Sequence, residues 1–383
     1  MRNPVNALTA RWAVACSGES VAMSGAGVWP LLAYLASAAD GPGRAELQEA
    51  IGIDAGRAAQ AAASVLESLT GPAVRSAVGL WFARSLRLNP SWLSALPDGL
   101  RGELSGDPAV DRPRLDAWAA ERTGGLVPAM PVGVTEDTEL VLAGALTVRT
   151  AWLRPFQEGV GTFWSGPWAG TELAMLYRST SVVDRLRVVA TPSGPLTMLR
   201  VMGTGGIDMH LVLGERDAPG EVLAGGIGVL DGGRPVVMPP EEGPGVTVVR
   251  EPASEPGDRL KVTVPRFTVS ARHDLLRLPE VFGLATVTDA SRGHFPGISP
   301  EPLAIGDAAQ VTVADFSATG FESATITAFG AVGGGMPRLP YRARHVHVVF
   351  DRPFGFLAAE RRTGLILTAG WVADPQPAEP VAG

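Results

Sequence analysis

Two apolar runs near the end of the chain, Phe354 to Ala359 and Leu365 to Val372, narrow the folds open to it more than any other feature. They flank the polar turn Glu360-Arg361-Arg362-Thr363-Gly364 and are followed by Asp374-Pro375, so the stretch reads as a β-hairpin with a proline stop. Hydrophobicity is continuous rather than alternating in both runs, which predicts strands covered on both faces. A chain end threaded into the interior needs covering layers, and upstream residues must supply them.

There is enough chain to do so. With 383 residues, 46% hydrophobic and 19% charged, it can bury a large core. The net charge of -7 gives no basic face, so neither nucleic acid nor an anionic membrane is expected as a partner. No apolar run approaches the roughly 20 residues of a membrane span. Asn3 is a candidate N-cap, Pro4 suits a first helical turn, and Val5, Leu8, Trp12 and Val14 begin a helical stripe. The chain is therefore expected to start directly in structure and to be cytoplasmic. Its one cysteine, Cys16, allows no internal disulfide and reads as a small buried hydrophobe. Lys261 is the one lysine, in the alternating segment LKVTVPRFTV, where a solvent-facing strand position is expected.

Periodicity and Gly/Pro punctuation predict helices over 4–16, 29–38, 44–51 and 56–69, a strand over 76–84, and helices near 91–97 and 113–123. Strands follow at 140–152, 196–203, 208–214 and 259–271, with a short helix from His273 to Val281. No linker or internal repeat divides the chain, so the expectation is one α+β domain spanning residues 1–383.

Enzymatic signatures are missing. The five histidines, His210, His273, His294, His345 and His347, stand in no zinc-protease or Cys-His spacing, and no metal or other cofactor is expected. His345 and His347 share a strand face, but a metal there requires a third ligand from elsewhere. No GxSxG, Walker A or GxGxxG element follows a strand. Trp29, Trp81, Trp118, Trp152, Trp164 and Trp168 are read as core rather than as a ligand cleft.

Three blocks in order resemble the serpins, the serine-protease-inhibitor fold. They are WAAERTGGLVPAMP with LVLAGALTVRTAWLRPF at 118–156, VPRFTVSARHDLLRLPEVFGLATVT at 264–288, and FDRPFGF with the closing GWVADP. The resemblance is to a divergent, bacterial-type member. It implies three β-sheets, about eight or nine helices, and an exposed reactive loop near residues 318–344. In inhibitory members a serine or cysteine protease cleaves that loop, is acylated by it, and is carried across the molecule as the loop inserts into the central sheet.

The same resemblance assigns the hinge to Gly320 and puts Phe321, Ser323, Thr325, Thr327 and Phe329 on inward positions of the inserting strand. Phe321 departs from the family's small residue there, and overpacking by its ring is expected to cost on the order of 1–3 kcal/mol. The family's hinge glutamate corresponds to Ala318. Its buried asparagine and histidine correspond to Gly144 and Gln310, while its partner serine corresponds to Ser24. Counted forward from the hinge, the scissile bond is Gly334–Gly335; counted back from Pro353, it is near Arg342. The two counts differ by about eight residues, or roughly 26 Å of extended chain. Three functions stay open: a protease inhibitor, a non-inhibitory binder of a peptide or small molecule, and a biosynthetic enzyme on the same scaffold.

Overall fold

The structure, a computed structural model, describes residues 3–71, 73–130, 132–253, 255–321 and 341–379. Helix α1 (Pro4–Val14) starts where Asn3 accepts the Val5 N–H at 3.0 Å. Strand β1 (Val21–Met23) leads into α2 (Gly25–Ala38), capped by Ser24. Then come α3 (Gly41–Ile51), α4 (Ala58–Ser68), β2 (Val74–Ala83), α5 (Pro90–Ala95), β3 (Arg101–Leu104) and α6 (Pro108–Thr123). Strands dominate next: β4 (Leu140–Val148), β5 (Thr150–Ala151), β6 (Gln157–Thr162), β7 (Glu172–Thr180), β8 (Leu186–Thr191), β9 (Gly194–Met202) and β10 (Ile207–Gly214). After α7 (Pro219–Leu230) follow β11 (Val237–Met238), β12 (Val246–Ala253), β13 (Arg259–Pro265), β14 (Phe267–Asp274) and the short α8 (Pro279–Phe282). The chain closes with β15 (Asp307–Phe316), β16 (Gly320–Phe321), β17 (Tyr341–Val349), β18 (Phe354–Glu360) and β19 (Ile366–Val372).

These strands form three sheets in an α+β arrangement with eight α-helices among the described residues. The C-terminal hairpin lies inside the first sheet, with β18 on β10 and β19 on β1. Every residue of β19 is buried, as the continuous apolar run requires. Helix α2 is buried at every residue except Ser37 and packs on β19, β2 and β4, between the hairpin sheet and the central sheet. Phe267 of β14 ties the same layers from another side. Its ring stacks on Phe316 of β15 at 5.1 Å and meets Phe354 and Phe356 of β18 at 5.6 and 5.2 Å. A second, smaller core under α6 includes Trp81, Leu115, Ala143, Ala145 and Val311.

Several elements differ from the sequence reading. Residues His273 and Asp274 belong to β14, and only Pro279–Phe282 form an α-helix, because Pro279 can start a helix but not continue one. The single strand expected over 259–271 is two: Pro265 lacks the N–H to continue a ladder, and the chain crosses from the five-stranded to the central sheet at Arg266. Helix α7 and strands β6, β7, β8, β12 and β15 were not anticipated.

Removing the Phe267 ring opens a void at the junction of hairpin and central sheet. The Phe267→Ala variant is expected to lose about 3–5 kcal/mol in stability, measured by chemical denaturation. A loss below about 1 kcal/mol would mean that the layers are held elsewhere.

Candidate functional site

In the central sheet β4 and β15 run parallel and pair directly, Val141 with Asp307 through to Leu146 with Thr312. Parallel pairs are slightly less stable per residue than antiparallel ones. Gln310 sits mid-seam, opposite Gly144 on β4 and His273 on β14, and is fully buried. Its Oε1 accepts from the Ser24 N–H at 2.9 Å and the Thr312 hydroxyl at 3.0 Å, and its Nε2 donates to the Ser24 carbonyl at 2.8 Å. Ser24 in turn donates its hydroxyl to the Leu367 carbonyl at 2.6 Å and caps Gly27 N–H at 3.1 Å. One amide side chain thus joins the seam, the start of α2 and the hairpin.

The residues at 24, 144 and 310 are therefore brought together as the resemblance implied, with altered chemistry. A Cβ on Gly144 would lie 3.2 Å from the Gly27 carbonyl, so α2 approaches β4 too closely for a longer side chain. Gln310 reaches across from the other strand instead. His273 holds the Ala22 carbonyl through Nε2 at 2.8 Å and packs edge-on to Trp12 at 4.8 Å. Burial pushes its pKa below the ordinary histidine value against the opposing effect of that hydrogen bond, so the ring is held neutral.

At the top of the seam the hinge is clamped. Trp152 N–H donates to the Thr319 carbonyl at 2.9 Å, its indole N–H to the Ser317 carbonyl at 2.9 Å, and Phe156 N–H to the Ala318 carbonyl at 2.8 Å. Gly320 and Phe321 form β16, paired to Ala151 and Thr150 of β5 on one side and, through Phe321, to Phe316 of β15 on the other. A Cβ on Gly320 would fall 2.5 Å from the Thr150 carbonyl, so glycine is required by close approach. Phe321 is 1% exposed. Its ring, expected to overpack at the first inserting position, is housed within the core at the head of the seam. Ala318 is also buried, where a glutamate would lose its solvent.

Ser323, Thr325, Thr327, Phe329, Gly334, Gly335 and Arg338 lie outside the described residues. Arg342 does not, and its position corrects the loop boundary at 344. It belongs to β17 opposite Pro252, and its side chain donates to the Arg250 carbonyl at 3.3 Å. A bond inside a paired strand cannot enter a protease cleft in extended form, so Arg342 is unsuited as a scissile residue in this conformation. Arg344, in the same strand, meets Glu241 and Asp258 at 3.4 and 3.8 Å.

A cleft rich in arginine reaches Phe156 beside Ala318, and it was not legible in the sequence because its residues come from distant segments. Asp208, buried, receives Arg200 at 2.5 Å and Arg361 at 2.6 Å. Burial raises its pKa, but hydrogen bonds from Arg361 and Arg200 outweigh that and hold it below the usual aspartate value. The adjacent cavity is about 400 Å³. Beside it the Arg178 guanidinium lies 3.7 Å over the Phe156 ring, and its Nε and Nη2 are buried without a hydrogen-bond partner. Burial, then Arg185 and Arg154, push its pKa down to about 9.

The histidine pair gains the third donor that the sequence could not supply. Glu251 of β12 places Oε2 2.6 Å from His345 Nδ1, and one donor atom from each of Glu251, His345 and His347 lies within 4.8 Å of the others.

A buried C-terminal hairpin, a parallel central seam and a hinge entering its top define the serpin class of fold. The chain belongs to that family: the model for serpins (serine protease inhibitor) matches residues 7–221 and 246–375. Curated relatives include putative serpin-Z6C of Oryza sativa subsp. japonica, 26% identical with 86% of this chain and 83% of that protein covered. Putative serpin-Z8 of the same plant is 25% identical over 96% and 93%. These relatives are plant proteins and lend no support to a bacterial-type member. Among solved structures, human thyroxine-binding globulin complexed with thyroxine aligns at TM-score 0.74 and 16% identity, covering 98% and 97% of the two chains. Serpin48 of the insect Tenebrio molitor aligns at 0.71 and 18%, covering 97% and 96%. At such identities these structures speak for the fold alone.

Truncating Gln310 strands the Ser24 N–H and carbonyl in a dry site. The Gln310→Ala variant is expected to lose about 2–4 kcal/mol and to exchange the amides of β4 and β15 faster in hydrogen-exchange measurements. Unchanged protection across that seam would show that the amide lock does not hold it.

Proposed function

We propose that this serpin inhibits a serine or cysteine protease by inserting its cleaved loop along the β4–β15 seam. The observation that carries the reading is the pairing of Gly320 and Phe321 on both sides at the head of that seam. On this reading that pairing is the first step of insertion, the one the Phe321 ring was expected to oppose. Below it, the paired residues Ala143, Ala145, Ala308 and Ala309 are small, and a strand entering antiparallel between β4 and β15 would replace one parallel ladder with two antiparallel ones. In sequence the next inward residues, Ser323, Thr325 and Thr327, are small enough to follow.

The expected outcome of mixing the protein with trypsin-like, subtilisin-like and elastase-like enzymes is a covalent complex with at least one of them that survives boiling in detergent. The loop-cleaved protein is expected to melt well above the intact form. Cleavage of the loop by every enzyme without a complex, and with unchanged melting, would overturn the reading.

A second reading, a binder of a small anionic molecule or peptide, is favoured by one observation: the unpartnered donors of Arg178 in a cleft that also holds Arg154 and Arg185. If the cleft binds anions, aromatic carboxylates will raise the melting temperature of the wild type and not of Arg178→Gln. Equal shifts in both proteins would remove this reading.

A further inference from the structure

Strand β17 presents His345 and His347 to one face of the five-stranded sheet, by the two-residue period of a strand. On one side β12 runs antiparallel and sets Glu251 opposite Ala343; on the other β13 runs parallel and sets Lys261 opposite His347. The Ala343 methyl is short enough for Glu251 to lean along the face to His345. The Glu251 carboxylate oxygen lies 2.6 Å from His345 Nδ1, on the side of the ring away from Nε2. The Nε2 atoms of both His345 and His347 are buried and have no hydrogen-bond partner. His345 itself is 6% exposed.

Two buried imidazole nitrogens without partners beside a carboxylate are poorly explained as packing, because buried polar atoms are nearly always paired. A cation shared among the three side chains gives both a partner once Glu251 moves off Nδ1. The Lys261 ammonium, 3.1 Å from Glu251 Oε2, is the positive charge that now balances the carboxylate. Glu251 and Lys261 are each about two-fifths exposed, so an ion in solution can reach the group.

We propose that Glu251, His345 and His347 form a binding site for a divalent cation of the zinc class, one nitrogen from each ring and one carboxylate oxygen leaving a fourth position to water. Two imidazoles favour zinc over magnesium or calcium, which prefer oxygen. Donors about 2.0–2.2 Å from a tetrahedral ion stand closer together than the present 4.8 Å limit. Binding therefore draws the three side chains inward and releases Glu251 from Lys261. The ion ties β12 to β17, the strand into which the loop runs.

The test titrates zinc chloride into full-length protein freed of metal by a chelator, with a chromophoric chelator as competitor and a melting curve for each variant. One equivalent is expected to bind and raise the melting temperature. His345→Ala and His347→Ala are expected to weaken binding by roughly tenfold or more, and cobalt is expected to give the visible absorption of a tetrahedral site. Lys261→Ala, a half-exposed position whose truncation spares the ligands, is expected to tighten binding. No saturable binding, or an affinity unchanged in both histidine variants, would overturn the site. So would a folded Lys261→Ala protein with unchanged or weaker zinc affinity.

Discussion

The parallel contact of β4 with β15 is the constraint around which this molecule is arranged. A parallel pair in mid-sheet has no short connection and slanted hydrogen bonds, and it persists here because both faces are held. On one face α2 lies against β4 so closely that a Cβ on Gly144 would stand 3.2 Å from the Gly27 carbonyl, and Gln310 grips the Ser24 backbone from β15. On the other, α6 covers the sheet through a limited core that includes Ala143, Ala145 and Val311. The seam is thus held through Ser24 on one face and covered by α6 on the other.

The hairpin was legible because its chemistry is local: two apolar runs, a five-residue polar turn and a proline stop leave few alternatives. The assignment of a hinge to Gly320 and Phe321 rests on family resemblance alone; what the structure adds is that the Phe321 ring is buried in the intact chain. Whether a phenylalanine overpacks depends on the room left by its neighbours, and Phe321 is buried opposite Phe316, whose ring packs on Trp152 and Phe156. Arg342 was misplaced because the pairing of β17 with β12 depends on residues about ninety positions upstream. Helix α7 escaped notice because Gly220, Gly225, Gly226 and Gly228 argue against a helix locally. Packing overrides that preference: a Cβ at Gly225 would lie 2.8 Å from Leu196, and at Gly226 3.1 Å from Leu357, so the glycines let the helix close on the hairpin sheet.

The seam network keeps its place in the fold with different side chains. A glutamine amide can donate and accept at once, so one side chain satisfies both the N–H and the carbonyl of Ser24 and needs no partner from β4. With Gly144 opposite, that satisfaction is independent of the β4 side chains.

The hinge clamp and the arginine cleft share a residue, and this connects the two functional readings physically. Phe156 accepts the Arg178 guanidinium on its face, packs against Phe316, and donates its backbone N–H to Ala318. An anion pairing with Arg178 would neutralise a cation that burial and its arginine neighbours now disfavour, and would hold it over that ring. The ring's own backbone N–H holds the Ala318 carbonyl, so under the proposed reading occupation of the cleft would bear on the segment that must move for insertion. The two proposed activities, anion binding and protease trapping, would then be coupled through Phe156 rather than being exclusive alternatives.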